Sequence, residues 1–469
     1  MGMSLGGRSR AALVAMATLG LTLAAAAPAT AATTGPPTPI DLFNGDLSCS
    51  TNVASPTYVS AYYGLTAEAG VQLEGLSQDT NSADSPFITE QFQVWPVSDP
   101  TQTTTLSNTT VLPEFEGTVT MPAADLSDGQ TYAWQVQAVG ASGTSAFTAP
   151  CYFAVDNTAP ANPPTITSAN YPQGQLDQGG APVQVTLGAN GVSDVQGYVF
   201  TWVQPLPVAV LANVGAYGIP QPVDNYADTT QFALASTLGG SATVNLIPPP
   251  GSSGPMTLTV ASLDRALNES PAATYSFDVG STAPTIRQLD PHPKFDQKTE
   301  FQITPNPGLQ AASRVVSYTV QFTGQTEQTF TVKASASGQA NVSVTLDGAT
   351  GDVMFVSSTS ADGWVSGNAF WSYNIDTTPA VSSNVYLENE SSGGVGIPGT
   401  FTFAPKVAHV VSYTYSFNSG PAVTVEAGGN GVAKISFTPD QSGFYDLNVY
   451  ATTKDGLALT PYDYFFTVN

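Results

Sequence analysis

The sequence predicts an all-β protein made of four tandem β-sandwiches behind an N-terminal export signal. Apolar and polar residues alternate in short runs, such as Thr400–Phe403 and Val410–Phe417, so each run has one apolar and one polar face. A hairpin pattern recurs four times along the chain, and no apolar pattern of helical period follows the N-terminal segment. Together these observations indicate sheet-on-sheet cores.

The recurring hairpin is defined by its register. An apolar pair lies eight and six residues before an equivalent turn, and an aromatic residue lies 11 to 13 residues after it. A period of about 95 to 125 residues, with several short strands in each unit, predicts two-sheet sandwiches of the immunoglobulin type. The four copies are Trp134 and Val136 with Phe153, Met256 and Leu258 with Phe277, Met354 and Val356 with Tyr373, and Leu447 and Val449 with Phe466.

The chain begins with the features of a signal peptide. Arg8 and Arg10 precede an uncharged apolar run over 11–27, and a pattern of small residues ends at Ala31. We expect cleavage after Ala31 and secretion into the extracellular space. The run is short and no second hydrophobic segment follows, so membrane insertion is not expected. A Thr/Pro-rich stretch over 32–40 predicts a flexible leader.

The charge balance restricts the class of partner. The chain has 11 Lys and Arg against 35 Asp and Glu, and removal of the signal peptide with its two arginines leaves 9 − 35 = −26. An acidic chain of this kind stays soluble but repels phosphates, so nucleic acid is excluded as a partner. Charged residues make up only 10%, and the remaining polar surface is Ser, Thr, Asn and Gln, which is typical of a secreted β-protein.

The first predicted sandwich contains both cysteines. Cys49 and Cys151 lie near its start and its end, and in an exported protein this predicts a disulfide that joins the first and last strands. A loop of this length contributes roughly 4 to 5 kcal/mol on the chain-entropy model. A metal or redox pair would need further ligands or a C-x-x-C spacing, and the sequence has neither.

Proline-containing linkers separate the predicted sandwiches. Asp156–Pro160, Ser281–Pro284 and Asp376–Pro379 each end in a proline, which lacks the amide that a central strand donates. Behind the signal peptide (1–31) and the leader (32–40), these linkers divide the chain into four predicted Ig-like domains over 41–157, 158–280, 281–377 and 378–469.

The second predicted domain carries an apolar insertion that the third and fourth copies lack. It runs from Pro205 to Tyr217 within a longer irregular stretch over 205–230. Apolar surface outside a shared core often marks a contact site. The alternative is a longer hairpin that packs on its own sandwich or on the next domain.

The repeats resemble fibronectin type III or Ig-like modules of large secreted actinobacterial proteins. The resemblance rests on Trp134–Pro160 and on Ser262–Pro271 followed by Tyr275–Val279, and it extends over nearly all of the mature chain. It implies a fold and not an activity. In relatives of this kind, such modules usually accompany a laminin G-like lectin sandwich or a catalytic domain.

Catalytic motifs are absent from the sequence. His292 and His409 have no partner at metal-ligand spacing, and no nucleophile elbow, P-loop or dinucleotide-binding glycine pattern occurs. A non-enzymatic protein is therefore predicted, with a glycoside hydrolase as the alternative. Two acid pairs are expected only to share a solvated strand face: Glu114 with Glu116, and Glu388 with Glu390.

Calcium is the one ion for which the sequence offers ligands. Asp156 and Asp376 stand at domain junctions and Asp347–Asp352 is an acidic turn, so carboxylate oxygens could converge between domains. The alternative is that each Asp caps its own turn, since no spacing matches an EF-hand loop. No cofactor is expected apart from structural calcium.

Aromatic and apolar side chains supply a candidate binding surface. Exposed tryptophans stack on sugars in carbohydrate-binding modules, whereas Trp134 and Trp371 are expected in or near the core because of their strand faces. The candidate surface consists of Trp95, Trp202, Val210, Tyr217 and Trp364.

These features favour a secreted adhesive, scaffold or spacer protein. Its partner would be an unknown protein or an extracellular polysaccharide. The alternative is a carbohydrate-binding or accessory protein of extracellular polysaccharide metabolism.

Overall fold

The regular secondary structure of the chain consists almost entirely of β-strands. Within the described residues of this computed structural model, one short α-helix, α1 (Pro307–Ala312), interrupts them, and no helix is long and apolar enough to cross a membrane. The all-β prediction is confirmed. The predicted signal peptide, its cleavage site and the first residues of the leader lie outside the described residues, which are 35–63, 69–78, 86–141 and 143–469.

The first ten strands form two sheets with one core between them. One sheet has the order β2-β1-β4-β7 and the other the order β3-β10-β8-β5-β6, with β9 paired to β8. Leu73 from the first sheet and Trp134 from the second meet in this core. The strands are β1 (Ile40–Asn44), β2 (Leu47–Ser48), β3 (Thr57–Val59), β4 (Gly70–Leu76), β5 (Ile88–Pro96), β6 (Thr104–Val111), β7 (Glu116–Pro122), β8 (Thr131–Gly140), β9 (Gly143–Thr144) and β10 (Cys151–Val155).

The second segment repeats this arrangement and adds a small hairpin. Its sheets have the orders β11-β13-β18 and β12-β20-β19-β14-β17, and β15 pairs with β16 apart from them. The strands are β11 (Thr165–Ser168), β12 (Leu176–Asp177), β13 (Val183–Gly188), β14 (Gly197–Thr201), β15 (Ala212–Val214), β16 (Pro220–Pro222), β17 (Phe232–Leu234), β18 (Ala242–Leu246), β19 (Gly254–Leu263) and β20 (Ala273–Val279).

The third and fourth segments have the same two-sheet plan. Their sheets are β21-β22-β25 with β24-β23-β26-β27, and β28-β30-β33 with β29-β35-β34-β31-β32. The strands are β21 (Thr285–Gln288), β22 (Lys298–Thr304), β23 (Val315–Thr323), β24 (Glu327–Lys333), β25 (Ala340–Thr345), β26 (Gly351–Ser360), β27 (Ala369–Asn374), β28 (Ala380–Ser383), β29 (Ser391–Ser392), β30 (Gly399–Ala404), β31 (Val410–Phe417), β32 (Val423–Glu426), β33 (Ala433–Phe437), β34 (Gly443–Thr453) and β35 (Tyr462–Val468).

Alternation in the sequence determines which side chains enter the cores. Along β34, every second residue from Tyr445 to Ala451 is buried, as a two-residue period requires. The tyrosines that the sequence places in register, Tyr198, Tyr318 and Tyr413, are all fully buried. Each donates its hydroxyl hydrogen to a glycine carbonyl, at 2.6, 2.5 and 2.7 Å. The repeated register therefore corresponds to a repeated core contact.

The predicted disulfide is present. Cys49 follows β2 and bonds to Cys151 at the start of β10, with 5.4 Å between the Cα atoms. The bond therefore connects the two ends of the first segment, across a sequence separation of 102 residues.

The cores of the second and third segments are continuous. Their buried side chains belong to one apolar cluster, which contains Val279 from one segment and Leu309 from the other. Gly180 makes the close approach: its φ is +99°, and a Cβ there would lie 2.9 Å from the Leu309 Cα. The fourth segment has a separate cluster that includes Phe295 from the third. Boundaries at 157, 280 and 377 stay a prediction.

Candidate functional site

The apolar insertion of the second segment contacts the first segment. Its inner side packs on its own sandwich, where Ala209 joins a small apolar cluster with Val199. On its other side, the Tyr63 hydroxyl donates to the Ala209 carbonyl, and the Tyr217 ring meets Phe115 edge-on at 5.1 Å. The insertion is thus a hairpin packed on its own sandwich, as one alternative held, and its second contact is the preceding segment, not the next one.

A buried asparagine holds the insertion in place. Asn225 accepts a hydrogen bond from the Val210 amide at 2.9 Å and donates to the Val210 carbonyl at 2.8 Å. These two hydrogen bonds satisfy both backbone groups of Val210. The segment that leads into β15 is therefore fixed relative to the short turn that contains Asn225. The hairpin is therefore an ordered part of the joint between the first two segments.

Three acids of the first segment form an acidic cluster beside this hairpin: Asp46, Glu74 and Glu116. Glu74 on β4 is only 1% exposed and accepts a hydrogen bond from the Asp46 amide, while its Oε2 has no partner among the described residues. A Cβ at Gly218 of the insertion would lie 3.5 Å from the Glu116 Oε2. The hairpin therefore approaches the cluster directly.

Burial and mutual repulsion make these carboxyl groups hard to ionise. Desolvation raises the pKa of Glu74 to about 8, and the neighbouring charges of Asp46 and Glu116 raise it further in the same direction. Desolvation likewise raises the pKa of Glu116 to about 7, and burial also raises the pKa of Asp46. At neutral pH the cluster thus retains protons that solvated carboxyl groups would have lost.

A fourth acid, Glu90, lies on the core side of the same sandwich. It is fully buried, and Ser77 donates to its Oε1 at 2.5 Å. Burial raises the pKa of Glu90 to about 7. Gly117 leaves room for this side chain, since a Cβ there would overlap the Glu90 carboxyl group.

Sequence reasoning missed both Glu74 and Glu90. A signal for Glu90 was available, because Ile88, Glu90, Phe92 and Val94 share one face of β5 and the other three are core residues. No comparable signal exists for Glu74. It lies on the sheet face opposite Val71 and Leu73, and a two-layer sandwich by itself leaves that face in water.

Every junction is held by the turn of the last hairpin in the segment that follows it. At the first junction Asn268 donates to the Asp156 carbonyl at 2.7 Å. At the second, the Trp364 Nε1 donates to the Thr282 Oγ1 at 3.0 Å. At the third, the Thr377 hydroxyl donates to the Thr460 Oγ1 at 2.9 Å. The three linkers are therefore tied to the modules that they introduce.

The structure corrects the candidate binding surface at Trp364. This residue is 1% exposed, because its indole fills the second junction, so its assignment to an exposed surface is wrong. Trp202 is half-buried against Phe277, with 6.0 Å between ring centroids, and Trp95 is half-buried on β5. Val210 and Tyr217 remain exposed, at 46% and 56%. The five residues lie on separate elements and do not form one surface.

The predicted acid pairs do not share strand faces. Glu114 is exposed, with φ +67°, and precedes β7, whereas Glu116 is half-buried in the acidic cluster. Glu388 lies between β28 and β29 and accepts a hydrogen bond from the Tyr462 hydroxyl at 2.5 Å, and Glu390 is exposed. The expectation of a common solvated face is wrong for both pairs.

The aspartates considered as calcium ligands bind protein donors. Asp376 accepts from the Thr378 amide and pairs with Lys406 at 2.6 Å, and Asp352 accepts from the Gly348 amide at 3.0 Å. His409 contacts Asp296 at 2.5 Å, and His292 is exposed in its loop. Within the described ranges, no group of three or more His, Cys, Asp or Glu is arranged to hold a metal ion.

No protein-family model and no curated protein matches this chain. Among solved structures, the chicken CNTN1 FN1–FN3 domains are 10% identical, with 73% of this chain and 100% of that chain covered and a TM-score of 0.18. Escherichia coli alpha-2-macroglobulin is 11% identical, with 92% and 44% covered and a TM-score of 0.20. A Ca²⁺-stabilized adhesin of an ice-binding Antarctic bacterium is 16% identical, with 92% and 100% covered and a TM-score of 0.21. At these values none of them bears on function.

Proposed function

We propose that the protein is a secreted, non-enzymatic spacer or adhesive whose Ig-like modules form a rod with restrained joints. The observation that carries the proposal is the set of linker contacts made by Asn268, Trp364 and Thr377 at three successive junctions. A chain of modules restrained in this way holds its two ends apart, which is the property that a spacer needs.

The buried acids are consistent with this role and not with a hydrolase. Glycoside hydrolysis needs two carboxyl groups on either side of an accessible cleft. Glu74 and Glu90 are both inaccessible, and Glu90 lies between the two sheets of its sandwich. Their raised pKa values therefore follow from burial within the architecture.

Small-angle scattering on the mature chain tests the rod. We expect an elongated particle whose maximum dimension stays constant between low and moderate salt. Asn268→Ala should broaden the distance distribution by loosening the first junction, while Asn341→Ala, at an exposed position of β25, should leave it unchanged. A compact particle, or free hinging at every junction of the wild type, would contradict the proposal.

A second candidate function is carbohydrate binding, supported by an exposed aromatic pair on the fourth segment. Phe444 and Phe465 stack with 5.6 Å between ring centroids and 23° between planes, and Phe444 is 64% exposed. Flat aromatic faces of this kind bind sugar rings by stacking. On a glycan array, Phe444→Ser should abolish any retained signal, and Phe370→Ser on the third segment serves as the control.

A further inference from the structure

A cavity of about 450 Å³ lies between the first and second segments, away from the acidic cluster. One wall comes from the loop before β3 and from Tyr58, and the other from Gln196, Tyr226 and Arg265 of the second segment. Its volume falls within the range of small-ligand pockets and fits one or two sugar rings. The joint between the two segments thus forms an open cleft of a size suited to a ligand.

Two polar atoms of the cavity walls lack the partners that buried groups normally have. The Arg265 Nε and the Tyr226 hydroxyl are both inaccessible and make no hydrogen bond among the described residues. Such groups usually indicate a water, ion or ligand that completes them. Neither atom has surface that faces the cavity, so a ligand there would contact Arg265 through its terminal Nη atoms and Tyr226 only through its ring.

Arg265 is a cation without an ion pair in the described part of the chain. Its guanidinium lies 3.5 Å from the centroid of the Tyr58 ring, and it interacts electrostatically with the nearby Asp156 carboxyl group without forming an ion pair. The adjacent carboxylate of Asp264 is already occupied, because it accepts from the amides of Ala266 and Asn268 and from the Asn268 side chain. The donor fork of Arg265 therefore remains available to an anion.

The surroundings favour a singly charged anion that carries hydroxyl groups. Only one cation lines the cavity, and Asp156 and Asp264 lie nearby, so a phosphate dianion would be repelled. Ser55 and Gln196 line part of the remainder with hydroxyl and amide groups, which match a polyhydroxylated ring better than a peptide end.

We propose that this cavity binds a uronic acid unit of an extracellular polysaccharide, with Arg265 holding the carboxylate and Ser55 and Gln196 contacting ring hydroxyls. The site goes beyond the spacer function. The two proposals are tested independently. Absence of sugar binding would not contradict the spacer function, and flexible junctions would not contradict sugar binding.

Isothermal titration of the full mature chain with methyl galacturonate and methyl glucuronate tests the proposal. We expect a Kd near ~1 mM for at least one of them, and at least tenfold weaker binding of the neutral methyl galactoside and glucoside. No heat with either uronate up to tens of millimolar, or equal affinity for the neutral sugars, would overturn it. Tighter binding of N-acetylglycine than of both uronates would assign the cavity to peptide carboxylates instead and would also overturn it.

Variants identify the residue that binds. Arg265→Lys keeps a cation over Tyr58 but removes the paired N–H donors of the guanidinium that can bind both carboxylate oxygens. This variant should weaken uronate binding about tenfold. Gln196→Ala removes an amide group that lines the cavity and should weaken binding a few-fold. Arg287→Gln, on the exposed face of β21, is the matched control and should bind normally. Scattering and circular dichroism confirm that each variant is folded, and unchanged binding in a folded Arg265→Lys variant would contradict the assignment.

Discussion

Glu90 is a carboxylic acid in the apolar interior of the first segment. It takes a core position of β5, where its neighbours on the same face are apolar, and a single serine compensates for its burial. Since its pKa is raised from 4.5 to about 7, the folded state binds the proton more tightly than the unfolded state does. The contribution of Glu90 to the stability of the first segment is therefore largest below pH 4.5, decreases as the pH rises to about 7, and is constant above it.

Glu90→Gln should remove this pH dependence. The neutral amide has no charge to desolvate, so the variant should gain stability relative to wild type between pH 5 and pH 8, by on the order of 3 kcal/mol. Hydrogen exchange of β5 and β8 amides, corrected for intrinsic rates, measures the difference. Glu114→Gln at an exposed position is the control, and parallel pH profiles for wild type and Glu90→Gln would contradict the prediction.

Trp364 shows why one residue of the candidate surface was misplaced. Its neighbours Asp362 and Gly363 form a turn, and turn residues are usually exposed. The indole is buried because the linker residue Thr282, 82 positions earlier, accepts its hydrogen bond. A contact across that separation leaves no local pattern in the sequence.

A double-mutant cycle tests the contact between Trp364 and Thr282. Trp364→Phe removes the donor and Thr282→Val removes the acceptor at nearly constant shape, so each should destabilise the protein. The hydrogen bond predicts a coupling energy of about 1 kcal/mol, since the double variant leaves neither partner unpaired. Chemical denaturation measures it, and strictly additive effects would show that the hydrogen bond contributes nothing.

At the scale of elements, the sequence predicted the repeated hairpins better than the insertion. Trp134 and Val136 lie on β8 and Phe153 on the neighbouring β10, as the repeated hairpin predicts, and Tyr198, Tyr318 and Tyr413 make the same core contact in three segments. Periodicity identifies such strands because one face of each is buried within its own sandwich. The insertion has no period, and its contact with the first segment depends on how two modules meet.

Ionisation of the acidic cluster should loosen the hairpin β15–β16. Glu74 and Glu116 are largely neutral below pH 7, and above pH 8 both carry charge beside each other and beside Asp46. We expect the exchange of the β15 amides and of the Gln221 amide in β16 to accelerate in wild type relative to Glu74→Gln as the pH rises from 6 to 9. A ratio of the two rates that is independent of pH would show that the cluster does not act on the hairpin.

At the scale of the molecule, the continuous core of the second and third segments makes them one cooperative unit. We expect calorimetry to resolve three transitions: the first segment, the second with the third, and the fourth. Gly180→Ala should separate the shared transition into two, because the new methyl group meets Leu309 and strains a φ of +99°. Four transitions in the wild type would contradict this prediction.

The disulfide has a mechanical consequence if the chain carries tension between its ends. Pulling on a module without a crosslink unravels it and lengthens the tether, but the residues between Cys49 and Cys151 are closed into a covalent loop of separation 102. At roughly 3.5 Å per residue, this loop withholds about 350 Å of slack. The first segment would therefore resist extension under load. Reduction of the disulfide would allow it to unfold and lengthen under the same force.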